Sequence, residues 1–167
     1  MTLASTDAAA VRRQLGRAPR GALRVAHRCP CTLPDVVETA PRLPDGTPFP
    51  TTYYLTCPRA ASAVGALESR GVMAQMNARL ARDPELSAAY TAAHSDYLHR
   101  RAQLGEVPEI AGISAGGMPG RVKCLHVLVA HSLAAGPGVN PLGDEALSQV
   151  SPWWQHGSCA SDEQEPR

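Results

Sequence analysis

Hydrophobic positions change their period along the chain. Residues 22–28 (ALRVAHR) partly alternate apolar and polar, as a half-buried strand does. Residues 35–39 (DVVET) read as a second strand. Residues 51–56 (TTYYLT), β-branched and aromatic, read as a third. Between them, Leu43 to Pro50 holds three prolines and an Asp-Gly pair, which predicts a rigid turn. The first third of the chain is therefore expected to be a small antiparallel sheet. A short helix over 6–16 precedes it, with Thr6 as N-cap and Gly16 as stop.

The rest reads as helical. One helix covers 58–70, opening on Pro58 and ending at Gly71, and a second covers about 72–82. Asp83-Pro84-Glu85 is a strong start signal for a third, running to about Leu104. Its Leu86, Ala89, Ala93, Tyr97 and Leu104 are expected to face inward, and Ser95, Asp96 and His99 to face solvent. After a Gly-rich loop over 106–118, Pro119 is expected to begin a helix to about Ala135. It is apolar nearly all round and so should be the central buried helix. Gly136 to Gly143 reads as a stiff loop. A last helix is expected over 144–155, with Asp144 and Glu145 at its positive end. The fold class predicted is α+β: a small antiparallel sheet in the N-terminal third, packed on a mainly helical remainder with one buried central helix. Residues 1–155 form a single domain on this reading. The polar segment 156–167 is read as a disordered tail.

Composition narrows the functional classes. A chain of 167 residues is large enough to bury a core. Lys+Arg 16 against Asp+Glu 15 leaves a net charge of +1, so no global field recruits nucleic acid or an acidic membrane. Aromatic content of 4% argues against a base-stacking platform. No apolar run is long enough to span a membrane, and Met1 to Arg13 lacks the pattern of a secretory signal. A cytoplasmic protein without membrane insertion is the expectation. In a reducing compartment a cysteine cluster points to metal binding or catalysis rather than to disulfides.

Four of the five cysteines lie in three separated motifs: Cys29-Pro30-Cys31, Thr56-Cys57-Pro58 and Lys123-Cys124-Leu125-His126. Thiolate and imidazole are the ligands that zinc and iron–sulfur centres want. The expected metal ligands are therefore Cys29, Cys31, Cys57, Cys124 and His126, with zinc or an iron–sulfur cluster as cofactor. Cys159 is set aside because it lies in the polar tail. In a helix starting at Pro119, Cys124 and His126 would point about 200° apart. In an extended segment they would share a side, so His126 is a ligand only if the helix starts late. The alternative for each thiol is packing as a small hydrophobe, and for His126 and His131 a hydrogen-bonded place in the core.

Gly116, Gly117, Arg121 and Lys123 suggest an anion site at a helix start, for a small anionic ligand. A flexible connection with solvated cations is the alternative. Phe49, Trp153 and Trp154 are read as packing aromatics. Two further functions stay open at this point. One is a nucleophilic enzyme for a small anionic substrate, with Cys57 activated at a helix start, His126 or His131 as base, and the Gly116–Gly117 loop as anion hole. The other is a non-enzymatic interaction protein that docks an unknown partner through the helix over 84–104.

Four stretches together resemble one family. They are Arg28-Cys29-Pro30; Pro48 through Pro58 (PFPTTYYLTCP); Gly116-Gly117 with Val122 through His126 (VKCLH) and Ala130-His131; and Asn140 through Gly143 (NPLG). The chain resembles the uncharacterised bacterial domain-of-unknown-function family 501, in its actinobacterial form, from about residue 10 to 155. The resemblance implies a cytoplasmic protein encoded beside a septum-formation initiator and an exopolyphosphatase, hence a tie to cell division or envelope processes. It implies no activity. The family pattern is richer in histidine where this chain has Leu128.

Overall fold

The computed structural model describes residues 2–150 and 152–160. Six α-helices and three strands alternate in the order α1 (Ser5–Leu15), β1 (Ala22–Arg28), β2 (Pro34–Thr39), β3 (Tyr53–Leu55), α2 (Pro58–Ser69), α3 (Val72–Leu80), α4 (Pro84–Ala102), α5 (Leu125–Ala135) and α6 (Pro141–Gln149). Short 3-10 turns occupy Pro108–Ile110 and Trp153–His156. The strands form one antiparallel sheet in the order β1-β2-β3. The α+β class expected from the periodicities is the class observed.

Central strand β2 is buried along its whole length. Its two carboxylates need partners there, because an unpaired buried charge is costly. Neighbouring β1 supplies both: His27 Nδ1 lies 2.8 Å from Asp35 Oδ1, and Arg24 grips both oxygens of Glu38.

Helix α5 packs on β3, α2 and α6 and reaches β1 and β2. Leu125, Leu128, Val129, Ala130 and His131 are fully buried on it, as a helix apolar all round requires. It begins at Leu125 rather than at Pro119. The reason is long-range. Asn77 of α3 holds extended residue Val122 by both its N–H (2.8 Å) and its C=O (3.1 Å), and Tyr90 Oη donates to the Arg121 carbonyl at 2.9 Å.

The last helix also departs from expectation. It starts at Pro141 and ends at Gln149, with Asn140 as N-cap accepting the Gly143 N–H at 3.0 Å. Asn-Pro is the same cap-plus-proline signal as Asp83-Pro84, and here it outweighed the surrounding glycines. Gly143 lets α6 lie on α5: a Cβ there would stand 2.2 Å from the Leu128 carbonyl oxygen.

In α4 the inward stripe is Tyr90, Ala93, Tyr97 and Arg101: Ala93 and Tyr97 face inward as expected, whereas Ala89 is exposed and Leu86 and Leu104 are half-buried. Asp96 does not face solvent freely. It receives His131 Nε2 at 2.8 Å and Arg100 Nε at 2.6 Å. His131 is thus a hydrogen-bonded core histidine, stacked on Tyr53 and edge-on to Tyr97. Its Nδ1 accepts from Asn140 at 3.2 Å, and its Nε2–H goes to Asp96.

Two outcomes follow from this packing. Tyr97 Oη accepts the buried backbone N–H groups of Thr52 (2.7 Å) and Tyr53 (3.3 Å). Tyr97→Phe strands both amides and is expected to cost about 1–3 kcal/mol in urea unfolding; a loss below about 0.5 kcal/mol would contradict this role. Second, burial lowers the pKa of His131 below its ordinary 6.5, partly offset by Asp96, and Asp96 itself lies below its ordinary 3.8. At these two groups the unfolded chain therefore binds more protons than the folded one below pH 6.5. The stability carried by neutral His131 is complete above that pH and declines as pH falls through the lowered value. Raised His27 and His126 act in the opposite sense, so the test is a difference: lowering the pH from 7.5 to 5.5 should cost wild type more in thermal midpoint than His131→Gln, and equal changes would refute the assignment.

Candidate metal centre

The β1–β2 connection is a tight turn in which the Thr32 N–H bonds the Cys29 carbonyl at 2.8 Å and the Cys29 N–H bonds the Leu33 carbonyl at 3.0 Å. Thr32 sits at φ 79°, a left-handed conformation unfavourable for a β-branched residue. That strained turn folds Cys31 back so that its N–H points at Cys29 Sγ, 3.5 Å away.

Cys57 is the N-cap of α2, and its Sγ accepts the Ala60 N–H at 3.5 Å. Pro58 follows at the first helical position, which needs no N–H partner. The third contributor is Cys159. Arg59, the residue after Pro58, donates its Nε–H to the Ser158 carbonyl at 2.9 Å, and Trp153 is buried close by in the sequence. These anchors carry Cys159 inward, where it is 1% exposed and its N–H reaches Cys31 Sγ at 3.4 Å.

The sulfurs of Cys29, Cys31 and Cys159 lie within 4.8 Å of one another. Cys57 is not one of that trio; it is linked to it through its electrostatic interaction with Cys159. The Cys159 thiol pulls Cys57 down to about 7 against the effect of burial, helped by the amides of Ala60 and Arg59. Cys159 is pushed up, chiefly by Cys57, then by burial and by Cys29 and Cys31. Burial raises Cys29. Burial also pushes Cys31 up, but the amides of Cys159 and Leu33 outweigh it and the net shift is downward. Cys159, read from the sequence as part of a polar tail, instead lies with Cys29 and Cys31, its sulfur within 4.8 Å of theirs. Residues 161–167 of that expected tail lie outside the described residues.

Cys124 and His126 stand elsewhere. Cys57 begins α2, whereas Glu68 lies eleven residues further on, about 16 Å along the axis. Glu68, Cys124 and His126 form a second group with ligand atoms within 4.8 Å of one another. Because α5 starts late, Cys124 is its N-cap and His126 is two residues on, with Sγ to Nδ1 at 3.9 Å. The His126 ring lowers the Cys124 pKa against burial. The amides of Val127 and His126 lower it further, although neither forms a full capping hydrogen bond. His126 is raised in turn, first by Cys124 and, against burial, by Glu68. The five expected ligands are therefore divided between two places. No hydrogen bond joins His126 or His131 to Cys57, which is fully buried among sulfurs.

Gly116 and Gly117 build the turn that precedes Cys124. Gly116 C=O accepts the N–H groups of Lys123 (2.8 Å) and Cys124 (3.4 Å), and Gly117 C=O accepts that of Arg121 (3.1 Å). Arg121 and Lys123 are exposed. At the start of α5 the Leu125 N–H is taken by Glu68 Oε2 at 3.1 Å, so an internal carboxylate already occupies that helix end.

Residues 25–148 match the protein family of unknown function DUF501. The chain belongs to this family. The match contains Cys29, Cys31, Cys57, Cys124 and His126 and ends before Cys159. No curated protein and no solved structure matches the chain. In this DUF501 chain, the residue that sequence reasoning missed beside Cys159 is Glu68. A lone Glu in a helix carries no local signal, whereas Trp153-Trp154 just before Cys159 is a sign that the segment returns to the core.

Gly117 has φ 93°, and a Cβ there would stand 2.7 Å from the Arg121 carbonyl oxygen and 2.9 Å from the Lys123 nitrogen. Gly117→Ala is expected to destabilise the fold by about 1–3 kcal/mol. Chemical denaturation checks this, and an unchanged midpoint would mean the turn is not held as described.

Proposed function

We propose that the protein is a metal-binding protein in which Cys29, Cys31, Cys57 and Cys159 hold one zinc ion. The observation that carries this reading is the meeting of the Cys29, Cys31 and Cys159 sulfurs, from two segments far apart in the chain, within 4.8 Å of one another; Cys57, at the start of α2, is the fourth ligand we assign, and backbone N–H groups are directed at Cys29, Cys31 and Cys57. Amides directed at sulfur favour thiolate, the form that binds metal. A tetrahedral ion with Zn–S near 2.3 Å needs sulfurs about 3.8 Å apart, within the 4.8 Å envelope of Cys29, Cys31 and Cys159. Cubane clusters put each cysteine on a separate iron and so spread the sulfurs further. Four filled positions, three of them on fully buried cysteines, suit a structural ion. Its task on this reading is to tie the β1–β2 turn, the start of α2 and the C-terminal segment together. That is a bond which the small sheet and short C-terminal turn do not otherwise supply.

The test is elemental analysis with an absorption spectrum on protein purified without oxygen. Zinc without a visible chromophore is expected, with one equivalent lost in Cys159→Ser. A brown chromophore with stoichiometric iron would move the assignment to an iron centre. Folded wild-type protein whose metal content does not change in Cys159→Ser would refute it.

A further inference from the structure

The group formed by Glu68, Cys124 and His126 is chemically unlike the four-thiol cluster, and each side chain in it is oriented by the backbone. His126 Nε2 lies 3.1 Å from the Ala61 carbonyl oxygen. A carbonyl only accepts, so Nε2 carries the hydrogen and Nδ1 is the atom left to face inward. Glu68 spends Oε2 on the Leu125 N–H at 3.1 Å, which leaves Oε1 facing His126 Nδ1 at 3.1 Å. Cys124 Sγ stands 3.9 Å from the same Nδ1. Three electron-pair donors thus point at one another: a sulfur, a ring nitrogen and a carboxylate oxygen. Such an arrangement is repulsive unless hydrogen or a cation lies between them, supplied by protons on Nδ1 or Sγ or by a metal ion.

The dimensions admit an ion as well as a proton. A tetrahedral zinc ion bound to sulfur, nitrogen and oxygen at their usual lengths separates sulfur from nitrogen by about 3.6 Å and nitrogen from oxygen by about 3.4 Å. The observed 3.9 and 3.1 Å lie within a few tenths of these. A ligating histidine that donates its other N–H to a backbone carbonyl is the usual support of a metal site. The side chains of His126 and Glu68 are 33% and 21% exposed, so a fourth position opens towards solvent.

We infer that Glu68, Cys124 and His126 form a second zinc site, with three protein ligands and an exchangeable water in the fourth position. Three ligands and an open position are the make-up of a site that acts on a bound molecule, in contrast to the closed thiol centre. The inference does not depend on the four-thiol centre binding metal.

The experiment is a titration of chelator-stripped protein with Zn(II) against a chromophoric chelator, with Co(II) as a spectroscopic probe, in wild-type, Cys124→Ser, Glu68→Gln and Cys159→Ser chains whose folding is checked by circular dichroism. The result expected is one equivalent lost in Cys124→Ser, its affinity falling by roughly 100-fold or more, and weakened about 10–100-fold in Glu68→Gln. Cys159→Ser leaves this group intact and so covers the case in which Cys124→Ser does not fold. It should retain one Co(II) equivalent with the charge-transfer intensity of a single thiolate. If metal is lost in Cys124→Ser and unchanged in Cys159→Ser, this site stands and the four-thiol centre falls. If folded Cys159→Ser binds no metal, or folded Cys124→Ser binds as many equivalents as wild type, the inference is overturned and a proton occupies the site.

Discussion

Helix α5 must bury most of its surface, and the positions of the other elements answer that demand. Leu125, Leu128, Val129 and Ala130 are all fully buried. At about 25 cal/mol per Å2 of apolar surface removed from water, each such side chain contributes on the order of 1–3 kcal/mol. No single neighbour can cover a helix with no polar face, so the sheet, α2 and α6 close around it. His131 is the largest fully buried polar side chain of α5. Its burial is tolerated because Asp96 and Asn140 satisfy both ring nitrogens.

The same packing sets up both thiol groups. α2 lies against α5, with Cys57 at its first end and Glu68 in its last turn. At the first end, buried sulfurs gather where backbone amides point at them. At the far end, α5 begins beside Glu68, and its capping thiol meets an imidazole and a carboxylate near the surface. Burial explains the contrast. A closed set of like donors holds an ion and excludes other ligands, whereas an unlike and half-open set leaves room for one more.

The C-terminal segment shows how much a short anchored stretch can matter. Cys159 lies beyond the stretch matched to DUF501, yet its sulfur joins those of Cys29 and Cys31 within that stretch. Arg59, directly after the Cys57-Pro58 pair, holds the Ser158 carbonyl. The element that presents one thiol thus also docks the other.

Much of the architecture was legible locally. Alternation at 22–28, β-branched residues at 51–56 and the Asp83-Pro84 cap each specify an element through nearest-neighbour chemistry, and each element formed within a residue or two of the place expected. The unbroken apolar run in α5 announced its burial. The four motifs shared with DUF501 were visible as well. Tertiary structure decided where α5 begins, because Asn77, 45 residues before Val122, holds the chain extended there. It decided that Asp96 faces His131 and that Glu68 joins Cys124 and His126, since a carboxylate on a helix shows its partner only when another element arrives. It also decided the division of the thiols and the recruitment of Cys159. Sequence spacing records which ligands a chain owns. Which of them meet is set by the packing of helices, and a polar segment reads as a tail until an arginine far along the chain and a tryptophan close by hold it in place.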